Sequence, residues 1–87
     1  MHEQALMREV VARVEAVARE EGASRVTRVR VRLGALSHFT PEHFREHFDD
    51  ATRGTVADGA AVEATLEADI ADPLAADVVL ESVEVER

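Results

Sequence analysis

The chain begins Met1-His2-Glu3, a short nitrogen-rich stretch at a chain end. The α-amine of Met1, the imidazole of His2 and the backbone nitrogen between them can close adjacent chelate rings on one cation. Once deprotonated, amide nitrogens suit square-planar Ni(II) or Cu(II). Tetrahedral Zn(II) suits such a set less well. The plainer reading makes Met1 only the initiator and His2 a solvated residue at a terminus, which holds for most proteins. The rest of the sequence has to decide between the two.

A second group lies at His43-Phe44-Arg45-Glu46-His47, which matches the His-x-x-Glu-His pattern of inverted zinc peptidases. On a helix, one turn puts His43 and His47 on one face, with Glu46 beside them to activate a water. Such enzymes also need a distant third ligand, a substrate cleft and a far larger body. Phe44 and Phe48, adjacent to the histidines, claim the neighbouring face for a core. As regards catalysis a solvated helix is the better reading, while the exposed spacing also suits secondary metal binding by the pair. His38 divides between a loop histidine bonded to backbone and a metal or partner role. Ser24, Ser37 and Ser82 lack a nucleophile context and no cysteine is present, so no enzyme activity is expected.

Eighty-seven residues with no cysteine, no Trp and no Tyr make one small domain, held by Val, Leu, Ala and three Phe rather than by disulfides or a thiolate metal cluster. The net charge of −8 argues against nucleic acid as a partner, and no basic block reverses that. No apolar run approaches the length of a membrane span, and the N-terminus lacks the layout of a signal peptide. A cytoplasmic protein without a membrane partner is therefore expected. So thin a core also leaves a homodimer open.

The elements that must carry these residues can be read in order. From Glu3 to Glu21, Leu6, Val10, Val14 and Val17 recur at helical spacing, joined by Met7, Val11 and Ala18, with Arg8, Arg13, Glu15, Arg19 and Glu20 opposite. Gly22 stands where a left-handed C-cap belongs. Val26 to Leu33 alternates as a half-buried strand, with Val29, Val31 and Leu33 on one side and Arg28, Arg30 and Arg32 on the other. The arginine row is either a docking surface or, on the simpler reading, a solvated face paired with local carboxylates. Thr40 as N-cap and Pro41 at the first position start a second helix, running to about Ala51 with Phe44, Phe48 and Ala51 on its core stripe. After the turn at Asp58-Gly59, Val62, Ala64, Leu66 and Ala68 alternate as a second strand, interrupted at Ala71-Asp72-Pro73. A third strand runs from about Val78 to Glu86, with Val79, Val83 and Val85 on one side; Leu80 is out of phase, which points to a bulge or a segment buried on both faces. The order α-β-α-β-β predicts an α+β domain, two helices packed on one face of a small three-stranded sheet.

Taken together, Met1-His2-Glu3, Leu6, the Val26–Leu33 strand leading into Gly34-Ala35-Leu36-Ser37-His38, Thr40-Pro41-Glu42, Phe48, Arg53-Gly54-Thr55 and the closing Leu80-Glu81-Ser82-Val83-Glu84-Val85 resemble the HypA/HybF family. The resemblance implies a nickel metallochaperone for hydrogenase, or urease, maturation. It implies that the amine of Met1 and the imidazole and backbone nitrogen of His2 hold Ni(II), with the fourth position left to the backbone nitrogen of Glu3, to His38 or to water. The Glu3 carboxylate suits the positive end of a helix dipole and supports the metal from behind the ligands. The partners implied are a HypB-type GTPase and a hydrogenase large-subunit precursor.

One departure from the family is plain in the sequence. Its zinc domain, built from two Cys-x-x-Cys pairs between the last strands, has no counterpart here: 68–78 simply connects the strands, so no structural zinc is expected and 1–87 is read as a single nickel-binding-type domain. A natural zinc-less relative, an engineered deletion and a degenerate copy kept for protein contacts all fit that absence. The leading expectation is a nickel carrier whose affinity falls as protons compete for its ligands. The alternative is a metal-free interaction adaptor that uses the arginine-lined strand or an exposed sheet edge.

Overall fold

The computed structural model describes residues 2–87, with the side chain of His2 outside that description. Its elements follow the expected order: α1 (His2–Glu20), β1 (Arg25–Leu33), α2 (Pro41–Ala51), β2 (Ala61–Leu66) and β3 (Val78–Glu86). The sheet order is β2-β1-β3, with β1 central. β1 and β2 run parallel, Arg28 opposite Ala61 through to Leu33 opposite Leu66. A parallel pair needs a crossover, and α2 provides it. β1 and β3 pair antiparallel.

The α1 stripe buries Met7, Val10, Val14 and Ala18 and half-buries Leu6 and Val11 against this sheet. The helix ends as its sequence dictates. Gly22 takes φ +64°, its N–H donates to the Arg19 carbonyl at 3.2 Å, and the Ala23 N–H donates to the Ala18 carbonyl at 2.9 Å. This pair of bonds is the Schellman motif, in which a residue without Cβ turns the chain. From β1, Val26, Val29, Val31 and Leu33 point into the core, and α2 adds Phe44 and Phe48, both fully buried. Burying a side chain of that size contributes roughly 2–3 kcal/mol, so the two rings do much to fix α2 on the sheet.

Three expectations are corrected. Ala51 is exposed, and the last buried position of the α2 stripe is Thr52, whose Oγ1 donates to the Phe48 carbonyl at 2.8 Å. β2 stops at Leu66, so Ala68 lies beyond it. Val79 does not share a side with Val83 and Val85; it stands opposite Arg32, while Val78 and Leu80 join Val83 and Val85 against the core. The cause is the bulge anticipated at Leu80. The ladder passes from Arg30 opposite Ser82 to Val31 opposite Leu80, so Glu81 is the extra residue and the side-chain phase reverses there.

The sheet face away from the helices carries the arginine row, and here the simpler reading holds. Arg28 pairs with Glu63 and, at 3.9 Å, with Glu84; Arg30 meets Glu63 at 3.2 Å; Arg32 meets Glu81 at 3.8 Å and Glu67 at 4.0 Å. The connection between β2 and β3 is tied to the end of β1. The Gly34 N–H donates to Asp77 and the Leu36 N–H to Ala75, at 2.9 and 2.7 Å. A Cβ on Gly34 would stand 2.2 Å from the Ala75 carbonyl oxygen, so only glycine allows this approach.

Candidate metal site

The start of α2 is built locally. Thr40 has extended backbone (φ −95°, ψ 161°), and its Oγ1 accepts from the His43 N–H at 3.1 Å. Pro41 follows at the first helical position, where no N–H is required. This cap fixes the rotation of the first turn. Phe44 and Phe48 then face the core, and His43 and His47, one residue behind each, fall on the flank beside α1.

That flank meets the first turn of α1. Glu3 lies one turn before Met7, on the stripe that α1 turns toward the core. Its Oε2 comes within 3.7 Å of His43 Nε2, and both side chains are about one-third exposed. The imidazoles of His43 and His47 have centroids 4.4 Å apart, nearly perpendicular to one another. One ligand atom from each of Glu3, His43 and His47 lies within 4.8 Å of the other two. The buried ring of Phe39 packs against both, 5.6 Å from His43 and 6.5 Å from His47, and edge-on to Phe44 at 5.5 Å. The histidines are thus backed by a hydrophobic wall anchored in the core.

The expected metal ligands were Met1, His2 and Glu3. Met1 and the side chain of His2 lie outside the described residues. The backbone of His2 and Glu3 opens α1. The first four N–H groups of a helix have no acceptor within it, so the amides at this end are not committed to the ladder. Glu3 is drawn into a cluster that spacing alone did not assign to it. The carboxylate beside the histidines is therefore Glu3 from the other helix, while Glu46 points into solvent on α2. His38 is exposed and in left-handed backbone (φ +69°), outside this group among the described residues. A signal for Glu3 was present in the sequence: counting back from Val10 and Met7 at helical spacing reaches Glu3. What it lacked was the knowledge that α1 and α2 lie side by side.

Chemically, two imidazoles and a carboxylate on neighbouring helices suit borderline first-row divalent cations, and amine and amide nitrogens suit Ni(II) or Cu(II). Glu3, whose carboxylate belongs to the first set, lies in the N-terminal stretch expected to supply the second.

Comparison with known proteins places the chain. The profile of the family described as HypA, hydrogenase/urease nickel incorporation, metallochaperone, matches residues 1–72. The hydrogenase maturation factor HypA of Methylocella silvestris is 51% identical over 63 residues, covering 72% of this chain and 56% of its own length. That of Archaeoglobus fulgidus is 41% identical over 67 residues, 77% of this chain and 61% of its own. The chain thus spans little more than half the length of these curated relatives. The solution structure of the Ni metallochaperone HypA from Helicobacter pylori superimposes with a TM-score of 0.77 at 18% identity, covering 99% of this chain and 98% of that one, which establishes the shared fold.

Proposed function

Because the chain belongs to the HypA family of hydrogenase/urease nickel-incorporation metallochaperones, we propose that it carries Ni(II) for hydrogenase or urease maturation, held at its N-terminus by Met1, His2 and Glu3. The observation that carries this reading is the position of His2 and Glu3 at the open end of α1. Amide nitrogens there compete with no helical acceptor, and the helix dipole favours the Glu3 carboxylate beside the bound cation. The exchange requirement of a carrier is met as well. Ligands at a chain end can be replaced one at a time, so the ion binds selectively and still leaves.

The protein acts as a carrier and not as a catalyst. Its partners are a HypB-type GTPase and a hydrogenase large-subunit precursor, in the cytoplasm. No described helix is long and apolar enough to cross a membrane, in keeping with a role that needs none. In this reading 1–87 is the nickel-binding domain by itself, without a zinc domain between about 68 and 78. Ile70, 69% exposed, and the half-exposed Leu66 and Leu74 lie on or beside that connection. The adaptor alternative gains little from the arginine row, whose members already face carboxylates of their own sheet.

Calorimetric titration of Ni(II) into untagged protein and its His2→Ala variant tests the reading. The expected result is one tight site in the untagged protein, weakened at least about tenfold in the variant, with affinity in the untagged protein falling from about pH 8 to about pH 6 as protons displace the metal. Equal affinity in the two proteins would remove the N-terminal site.

A further inference from the structure

We propose that Glu3, His43 and His47 form a second divalent-cation site, adjoining the N-terminal chelator but built from side chains of both helices. The inference stands on described side chains alone. His43 and His47 sit four residues apart on α2 with ring centroids 4.4 Å apart, and Glu3 reaches them from α1 at 3.7 Å. All three ligand atoms lie within 4.8 Å of one another.

The geometry is open enough to close on an ion. A tetrahedral cation with bonds of about 2.0–2.1 Å holds its ligands roughly 3.3 Å apart. Glu3 and His43 are already near that separation, and the exposed side chain of His47 closes the remainder by rotation about its own bonds. The backing is fixed, which is what separates this group from a chance pair of surface histidines. Phe39, 3% exposed, abuts both rings, and the Thr40 cap sets the helical turn from which they project. Loose rings would lose rotamer freedom on binding; these are partly held beforehand.

The donor set determines the ligand class. Two neutral imidazoles and one carboxylate, with remaining positions left to water, take Zn(II), Co(II) or six-coordinate Ni(II) rather than a planar ion. The two sites therefore differ in shape as well as position: amine and amides impose a plane, while Glu3, His43 and His47 occupy one side of the metal. Glu3 belongs to both neighbourhoods.

Zn(II) is the probe, because it favours the side-chain site over the planar one. Affinity is measured by competition with a chromophoric indicator for the wild type, the His43→Ala/His47→Ala double variant, His2→Ala and His38→Ala, with the ring resonances of the histidines followed by NMR. Circular dichroism and thermal unfolding report the fold of each variant; His43 and His47 lie outside the buried core, so all should remain folded. The expected result is that Zn(II) moves the His43 and His47 resonances, and that affinity falls roughly tenfold or more in the double variant while His2→Ala and His38→Ala retain it. Unmoved His43 and His47 rings with wild-type affinity in the double variant would overturn the proposal. The outcome is separable from the N-terminal reading, since that reading depends on His2 and this one does not.

Discussion

On the outer face of the sheet, Arg28, Arg30 and Arg32 face Glu63, Glu67, Glu81 and Glu84; where α1 meets α2, the imidazoles of His43 and His47 share the single carboxylate of Glu3. Both are surface clusters of ionisable groups, and their chemistry diverges. In the first, carboxylates outnumber cations, and the side chains saturate one another across strands in register, as with Arg30 opposite Glu63 and Arg28 opposite Glu84. In the second, nitrogen ligands outnumber the carboxylate, and a phenyl ring backs them where more counter-charge would otherwise sit. A saturated cluster solubilises a sheet face. An unsaturated one with a fixed wall is able to take up a cation.

The difference can be sharpened by substitution. The largest effect is expected from Phe39→Ala, which removes a nearly fully buried ring and the wall behind both histidines. It should cost about 3–4 kcal/mol in urea unfolding and weaken Zn(II) binding at the same time. A variant that lost the stability but kept the metal affinity would show that the wall contributes nothing to the site. Next is Thr40→Ala. Loss of the bond that the His43 N–H donates to Oγ1 should cost about 1 kcal/mol, and the first turn of α2 should show faster amide exchange. Smallest is Glu63→Gln, which removes the carboxylate facing Arg28 and Arg30. These side chains are 43–49% exposed, so the loss should stay below about 1 kcal/mol and shrink further in high salt, measured by thermal unfolding at low and high ionic strength. A loss at Glu63 as large as that at Phe39 would break the comparison, since the sheet face would then be a stability determinant rather than a solvated surface.

Much of this molecule was legible before its structure. Three residues of the α1 stripe, Val10, Val14 and Ala18, the turn at Gly22 and the Thr40-Pro41 start of α2 all lie where local physics puts them, because each depends on residues within a turn of itself. Leu80 announced its bulge by breaking the alternation, yet alternation alone puts Val79 on the wrong side, since a bulge at Glu81 reverses every side chain before it. The parallel pairing of β1 with β2 was not legible at all; alternation assigns a face to a residue but no direction to a neighbouring strand. The site divides along the same line. His43 and His47 were paired by helical spacing, a local relation. Glu3 joined them only through the packing of two helices some forty residues apart in sequence, which no periodicity encodes. Met1 and His2 rest on chelate chemistry and on family membership.

The central claim is that nickel binds through the free amine at residue 1 in register with His2 and Glu3. The most direct measurement is the visible absorption spectrum of the Ni(II) complex, recorded for the untagged chain and for the same chain acetylated at the α-amine of Met1, the sequence having no lysine to be acetylated with it. Every side chain is common to the two proteins, and only the amine is blocked. The account predicts a square-planar d–d band in the untagged protein that disappears on acetylation. The same band at the same affinity in both would contradict it, and would place the nickel on ligands other than the amine.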